Sequence, residues 1–244
     1  MNLFLASAIG ATAKVNGKRC AGKIDNRYGF LSLFRQKLGN TNRMLYQSSD
    51  PNDNQRITEY YLTTIDAFKA ENICWNETIF VNGNNSCHLE RYLQSTDVIF
   101  LAGGHLPTQN SFFQSINLKH LLQNFQGIIV AQSAGSMNCA ETVYVCPEVE
   151  GEAINKSFDR YRPGLGLTDI NIFPHYDKNR YYTLDNLMFY EEVIYPDTFV
   201  TPLYLLTDGS FFFIDEKDCT AHGEIYLYHN GRVTPYSSSS PLLP

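Results

Sequence analysis

The apolar positions of the chain fall into two alternating rhythms. Residues 2–8 (NLFLASA), 43–48 (RMLYQS), 77–81 (ETIFV), 97–102 (DVIFLA) and 127–131 (GIIVA) are short apolar runs bounded by polar or turn residues, the pattern of buried strands. Between them the apolar residues recur at helical spacing: over Tyr28–Leu38, through a segment ending near Ala70 that Asp50 or Asp53 could cap, near His88–Leu93, and around Ser111–Phe125. The 97–102 run is unbroken and partly β-branched, as a central parallel strand requires. Residues 9 to about 29 are polar and turn-rich and read as a loop. Strands alternating with helices predict an α/β fold, a mostly parallel open sheet with helices on both faces.

The last third reads differently. Leu167–Phe173 is a further strand candidate and Thr183–Val193 a helix candidate. From Phe199 onward the short runs FVTPLYLL, SFFFID and EIYLYH are separated by Asp208-Gly209 and Asn230-Gly231, two dipeptides that favour hairpin turns. They predict an antiparallel edge near the C-terminus, on the same domain. With no internal repeat or long linker, residues 1–244 read as one domain, and Ser237–Ser240 as a short flexible end.

Composition narrows the class. Hydrophobic residues make up 43% of the 244 and charged residues 18%, enough apolar surface for a large core and too little charge for a disordered chain. The net charge of −6 hides an asymmetry, since eight basic residues precede or include Arg43 and only Asp25 there is acidic. Those charges lack interleaved aromatics, so they read as solvated surface and no nucleic-acid partner is expected. The six cysteines show neither CxxC spacing nor a histidine at ligand distance, which argues against a zinc or redox site and for reduced thiols in the cytoplasm. The N-terminal apolar patch is too short for a signal peptide and no run approaches a membrane span, so the sequons at Asn76, Asn84 and Asn155 read as chance matches.

The stretch GIIVAQSAGSM carries the chemistry. An apolar strand runs into Ser133, whose neighbours Ala131, Ala134 and Gly135 are small. A nucleophile elbow needs such neighbours, because it holds the serine in a strained turn that points its hydroxyl above the carboxyl edge of the sheet. The match to G-x-S-x-G is imperfect, and a serine capping a helix would look the same. Gly103-Gly104, closing the preceding strand, would sit beside that turn, and its amides could join the Ala134 N–H as an oxyanion hole. A serine needs a base, and of the six histidines His175 is best placed, after a strand and behind Pro174. His105 is better placed to contact substrate. The carboxylate that would orient the imidazole is Glu148, in the loop after the elbow helix, or Asp177, two residues from His175.

The segments AGGHLPTQNSFF (102–113), GIIVAQSAGSMNCAETVYVCPE (127–148) and GLGLTDINIFPHYD (164–177), in this order and spacing, resemble the peptidase E family of serine peptidases, which also includes cyanophycinase. The resemblance covers most of the chain. It implies a flavodoxin-like, class I glutamine-amidotransferase-like fold and a Ser-His-acid mechanism. It puts Ser133 on the nucleophile, His175 on the base, Glu148 on the acid, and Gly103 or Gly104 with Ala134 on the oxyanion hole. Two departures concern the substrate. His105 stands where the family has Asn, and no residue after His175 aligns with the arginine that binds the aspartyl carboxylate, Arg180 being the nearest.

These readings predict a cofactor-independent, metal-independent serine peptidase that hydrolyses short peptides in dipeptidase E fashion, as a monomer or homodimer with no membrane partner. Two alternatives stay open: a hydrolase of another amide, isopeptide or ester, and a ligand-binding protein that keeps the amidotransferase-like fold without catalysis.

Overall fold

The structure is a computed structural model and describes residues 1–39, 43–52, 54–237 and 242–243. Five of the apolar runs form the parallel heart of a seven-stranded sheet: β1 (Asn2–Ala6), β2 (Arg43–Gln47), β3 (Glu77–Val81), β4 (Val98–Leu101) and β5 (Ile128–Gln132). Their order is β1-β5-β4-β2-β3, in register from Leu3 opposite Ile129 and Ile99 opposite Ile129. The carboxyl ends of β1, β2, β4 and β5 therefore lie along one edge, and Ser7, Ser49, Gly103, Gly104 and Ser133 follow those ends.

The strands inside the sheet, β1, β2, β4 and β5, are buried on both faces, because successive side chains point to opposite sides. Phe4, Tyr46, Phe100 and Val130 face α1 (Phe30–Leu38) and α2 (Asn54–Ala70), where Phe4 meets Phe30 and Phe34 edge-on at ring separations of 5.5 and 5.9 Å. Leu3, Leu5, Ile99, Leu101 and Ile129 face the other way, toward α3 (Leu89–Leu93), α4 (Leu106–Ser115) and α5 (Leu118–Leu122). Burying a side chain of this size contributes about 1.5–3 kcal/mol, so the strand-to-helix alternation is fixed by the core.

The C-terminal third splits between two sheets. β6 (Ile172–Phe173) pairs in parallel with β7 (Leu203–Leu206) in a second, four-stranded sheet. β8 (Phe211–Ile214) and β9 (Cys219–His222) instead extend the main sheet, antiparallel, on the outer side of β1. β10 (Ile225–His229) and β11 (Arg232–Tyr236) return to the second sheet beside β7. The fold is thus α/β, with a mostly parallel central sheet and antiparallel strands near the C-terminus.

Three local expectations are corrected. The segment read as a loop before Gly29 contains a hairpin, Thr12–Val15 with Lys18–Ala21, turning at Asn16-Gly17 with φ of 50° and 77°. Its mostly exposed strands carry no apolar alternation, which is why only the Asn-Gly turn announces it. The helix expected over Thr183–Val193 is a two-stranded ribbon turning at Asp185-Asn186, both at positive φ, followed by a π-helical turn over Phe189–Ile194. Two consecutive left-handed residues cannot continue a helix. Of the Leu167–Phe173 run only Ile172–Phe173 is strand. Asp53, one of the two proposed caps of α2, and residues 238–240 of the tail lie outside the described residues.

Candidate active site

Ser133 sits between β5 and α6 (Ala134–Met137) with φ 52° and ψ −120°, a conformation that a residue with a side chain adopts only when its surroundings enforce it. The surroundings are tight. The Ser133 N–H donates to Ala6 O at 2.9 Å, and Ser136 Oγ donates to the same oxygen at 2.8 Å, tying both ends of the turn to β1. A Cβ on Gly135 would lie 2.4 Å from Leu101 O, so only glycine lets the elbow close against β4. This is the small-neighbour requirement read from the sequence.

Gly103 and Gly104 leave the end of β4 beside the elbow. A Cβ on Gly103 would stand 3.1 Å from Ser133 Cβ, and one on Gly104 would collide with Ser49 Oγ at 2.4 Å. The two turns are locked together by buried amides. Gln109 Nε2 donates to Ala102 O at 2.6 Å, Asn138 Nδ2 donates to Gln109 Oε1 at 3.1 Å, and Asn110 Nδ2 donates to Asn138 Oδ1 at 2.9 Å. The polar residues of the 102–113 segment thus fix α4 to α6, and with them the backbone of Gly104 and Ala134, both of which line the pocket at Ser133.

His175 follows β6 with φ 62° and brings Nε2 to 2.9 Å from Ser133 Oγ. Its Nδ1 meets Asp208 Oδ1 at 2.7 Å. Neither of the carboxylates expected to orient the ring occupies that place. Asp177 instead accepts the Asp208 N–H on Oδ1 at 3.0 Å, and Glu148 lines the pocket with no hydrogen bond to the ring. The reason is connectivity: the chain crosses from β7 in the second sheet to β8 in the main sheet, and the crossing carries Asp208 over the carboxyl edge of β1. Asp208-Gly209 is that crossing and not a hairpin turn.

Asp208 is well supplied with donors. Ser7, at the end of β1 and fully buried, donates its hydroxyl to Oδ1 at 2.8 Å and accepts the His175 N–H at 2.8 Å. Lys178 pairs with Oδ2. Burial, with the side chain 15% exposed, opposes the charge, yet the hydrogen bonds from His175, Lys178 and Ser7 outweigh it and hold the Asp208 carboxyl well below the usual range. Ser7 was not singled out by the sequence, where it reads only as part of a buried run.

The pocket beside Ser133 and His175 has a volume of about 380 Å³ and is lined by Gly104, Ala134, Met137, Glu148, Phe173 and Phe189 among others. Glu148, an exposed residue on its wall, has a carboxyl raised above the ordinary value by partial desolvation against the pocket, with the charge of His105 pulling the other way. His105 stands at the N-terminus of α4, its Nδ1 2.8 Å from Thr108 Oγ1, and does not line the pocket, though its charge acts on Glu148. Arg180 does not reach the pocket; its guanidinium lies 5.8 and 5.7 Å from the Tyr176 and Tyr181 rings. A larger depression of about 560 Å³ at the opposite edge of the sheet, near Asn2, Asp97 and Gly127, holds no nucleophile and base together.

A strained serine on the carboxyl edge of a parallel sheet, facing a histidine, is an arrangement that serine hydrolases of α/β fold use. The family model of peptidase family S51 matches residues 50–221, and the chain belongs to that family, the serine-type peptidases of the peptidase E kind. Among solved structures it is similar to a protein of Listeria monocytogenes EGD-e described as a candidate peptidase E, with a TM-score of 0.60 and 14% identity over 90% of this chain and 96% of that one, a likeness of fold. No curated protein matches the chain in sequence. The family match spans Ser133, His175 and Asp208 and leaves Ser7 outside it. Among the described residues no helix is long and apolar enough to cross a membrane.

Proposed function

We propose that the chain hydrolyses short peptides by acyl transfer, with Ser133 as nucleophile, His175 as general base and Asp208 as the acid that orients it. The observation that carries this reading is the unbroken hydrogen-bonded line from Ser133 Oγ through His175 Nε2 and Nδ1 to Asp208, at 2.9 and 2.7 Å. Asp208, ionised and held from three sides, keeps the proton of the imidazole on Nδ1 and leaves Nε2 free to accept the serine proton.

In the first half-reaction Ser133 Oγ bonds to the scissile carbonyl carbon as its proton passes to His175 Nε2, and the carbonyl oxygen becomes an oxyanion. The amides of Gly104 and Ala134, which line the pocket and have no acceptor among the described residues, would receive that charge, and the start of α6 adds its partial positive end. His175 then gives the proton to the leaving amine as the C–N bond breaks. Water, deprotonated by the same nitrogen, attacks the acyl-enzyme and releases the carboxylic acid and free Ser133. We take the enzyme to act in the cytoplasm, a reading supported by six cysteines of which none is disulfide-bonded.

The test is active-site labelling. A fluorophosphonate probe is expected to label the wild type and not Ser133→Ala, and a peptide-library digest of the wild type to yield cleavage that Ser133→Ala lacks. Equal labelling of the two proteins overturns the reading.

A further inference from the structure

Resting on that reading, the pocket itself speaks to the substrate. A pocket built for an aspartyl side chain needs a fixed cation near the nucleophile, and no lysine or arginine lines this one. Lys178 is on Asp208, Arg160 on Asp197 at 3.4 Å, and Arg180 lies near the rings of buried Tyr176 and exposed Tyr181 and does not line the cavity. The lining is apolar or neutral, with Met137, Cys146, Phe173, Phe189 and Tyr182 around the walls. One side chain in it carries a full charge opposite in sign to the expected one, Glu148.

Glu148 forms no ion pair among the described residues, although it stands on the wall of the cavity that also holds Ser133 and His175. Its backbone is fixed: Glu152 Oε2 accepts the N–H groups of Glu148 and Val149 at 2.8 and 3.0 Å, pinning the loop that presents the carboxylate. Partial desolvation raises its pKa and the charge of nearby His105 opposes that shift, so a cationic group arriving beside the carboxylate adds to an attraction the site already makes. The residue that the sequence offered as the triad acid is thereby left with its charge facing substrate.

We infer that Glu148 is a specificity-determining residue that receives a cationic group of the substrate, an ammonium or a guanidinium, and that the pocket rejects aspartyl peptides. The cation has two sources in a short peptide, the free α-amine and the side chain of Lys or Arg. Both present the same chemistry to a carboxylate, and substrate pairs separate them.

The experiment measures kcat/KM of the wild type and of Glu148→Gln on matched dipeptides: arginyl against citrullinyl, free leucyl against N-acetyl-leucyl, and an aspartyl peptide. The wild type is expected to prefer the cationic member of at least one pair by about ten- to hundredfold, and Glu148→Gln to bring that ratio toward one. Collapse of the arginyl ratio identifies the guanidinium, and collapse of the acetylation ratio the α-amine. A wild type that prefers the aspartyl peptide overturns the inference without any variant, as does a Glu148→Gln protein in which all substrates fall together with the ratios intact. Probe labelling of Ser133 runs alongside: labelled wild type with unmoved ratios sinks the role of Glu148 alone, whereas unlabelled wild type sinks the hydrolase reading beneath it.

Discussion

The two halves of the candidate site are held by different forces. The nucleophile half is backbone and steric: Ser133, the amides of Gly104 and Ala134 and the glycines around them are packed between β4, β5 and α6, where a Cβ on Gly135 would lie 2.4 Å from Leu101 O. The activating half is side chain and charge. His175 follows a two-residue strand, Asp208 lies on a crossing between two sheets, and they are aligned by Ser7, Lys178 and the carboxylate of Asp177. The first half fails when a methyl group is added. The second fails when a charge or a hydroxyl is taken away, with the fold left standing, and that is where the assignment can be broken experimentally.

The largest effect is expected at Asp208. Asp208→Asn keeps the shape but offers His175 Nδ1 a neutral group that no longer stabilises the imidazolium, and kcat is expected to fall by about 10⁴. Asp177→Asn keeps an acceptor oxygen for the Asp208 N–H and is expected to cost less than about tenfold, since its bond to the chain is one ordinary hydrogen bond. Steady-state kcat for the two variants decides between the carboxylates. A deeper loss for Asp177→Asn than for Asp208→Asn would reverse the assignment.

The same division explains what could be read in advance. Ser133 and its small neighbours are contiguous, and Gly103-Gly104 belongs to an adjacent parallel strand, so strand order alone brings them together. His175 was legible because Pro174 and a strand precede it. Asp208 was not, because Asp208-Gly209 and Asn230-Gly231 look alike. Asn230-Gly231 has φ of 48° and 71° and closes the hairpin of β10 with β11, while only Gly209 of the other pair is left-handed, at 90°. Positive φ at both central residues is the mark of the tight hairpin, and the dipeptide alone does not reveal it. Nor does the pattern say that β7 and β8, four residues apart, join different sheets. Ser7 is hidden for a related reason: within a buried strand run, a serine that serves a site contributed by residues 168 and 201 positions away looks like any small core residue.

Ser7 is the next point of attack. Its hydroxyl links the backbone of His175 to the carboxylate of Asp208, so Ser7→Ala leaves a buried N–H without its acceptor, a penalty of about 1–3 kcal/mol, and removes one of the donors to Oδ1. We expect kcat to fall by about ten- to hundredfold, the kinetic equivalent of that penalty, with KM nearly unchanged, since Ser7 lies behind the histidine and not in the pocket. A rise in KM at constant kcat would mean that Ser7 shapes binding, and no change in either would remove it from the site.

The smallest effect is thermodynamic and comes from the same carboxylate. Asp208 titrates below its unfolded value, so the folded state favours its charged form. A depressed carboxyl contributes stability that is fully present above the unfolded pKa, near 3.9, and is lost as the pH falls through the folded value. Asp208→Asn has no proton to take up there. Urea midpoints of the two proteins are therefore expected to differ most at neutral pH, with the wild type higher, and to converge as the pH is lowered from about 4 toward 2. A gap that stays constant across that window would mean that the hydrogen bonds from His175, Lys178 and Ser7 do not favour the ionised form. The activating half of the site would then be held by packing, as the nucleophile half is, and the contrast between them would collapse.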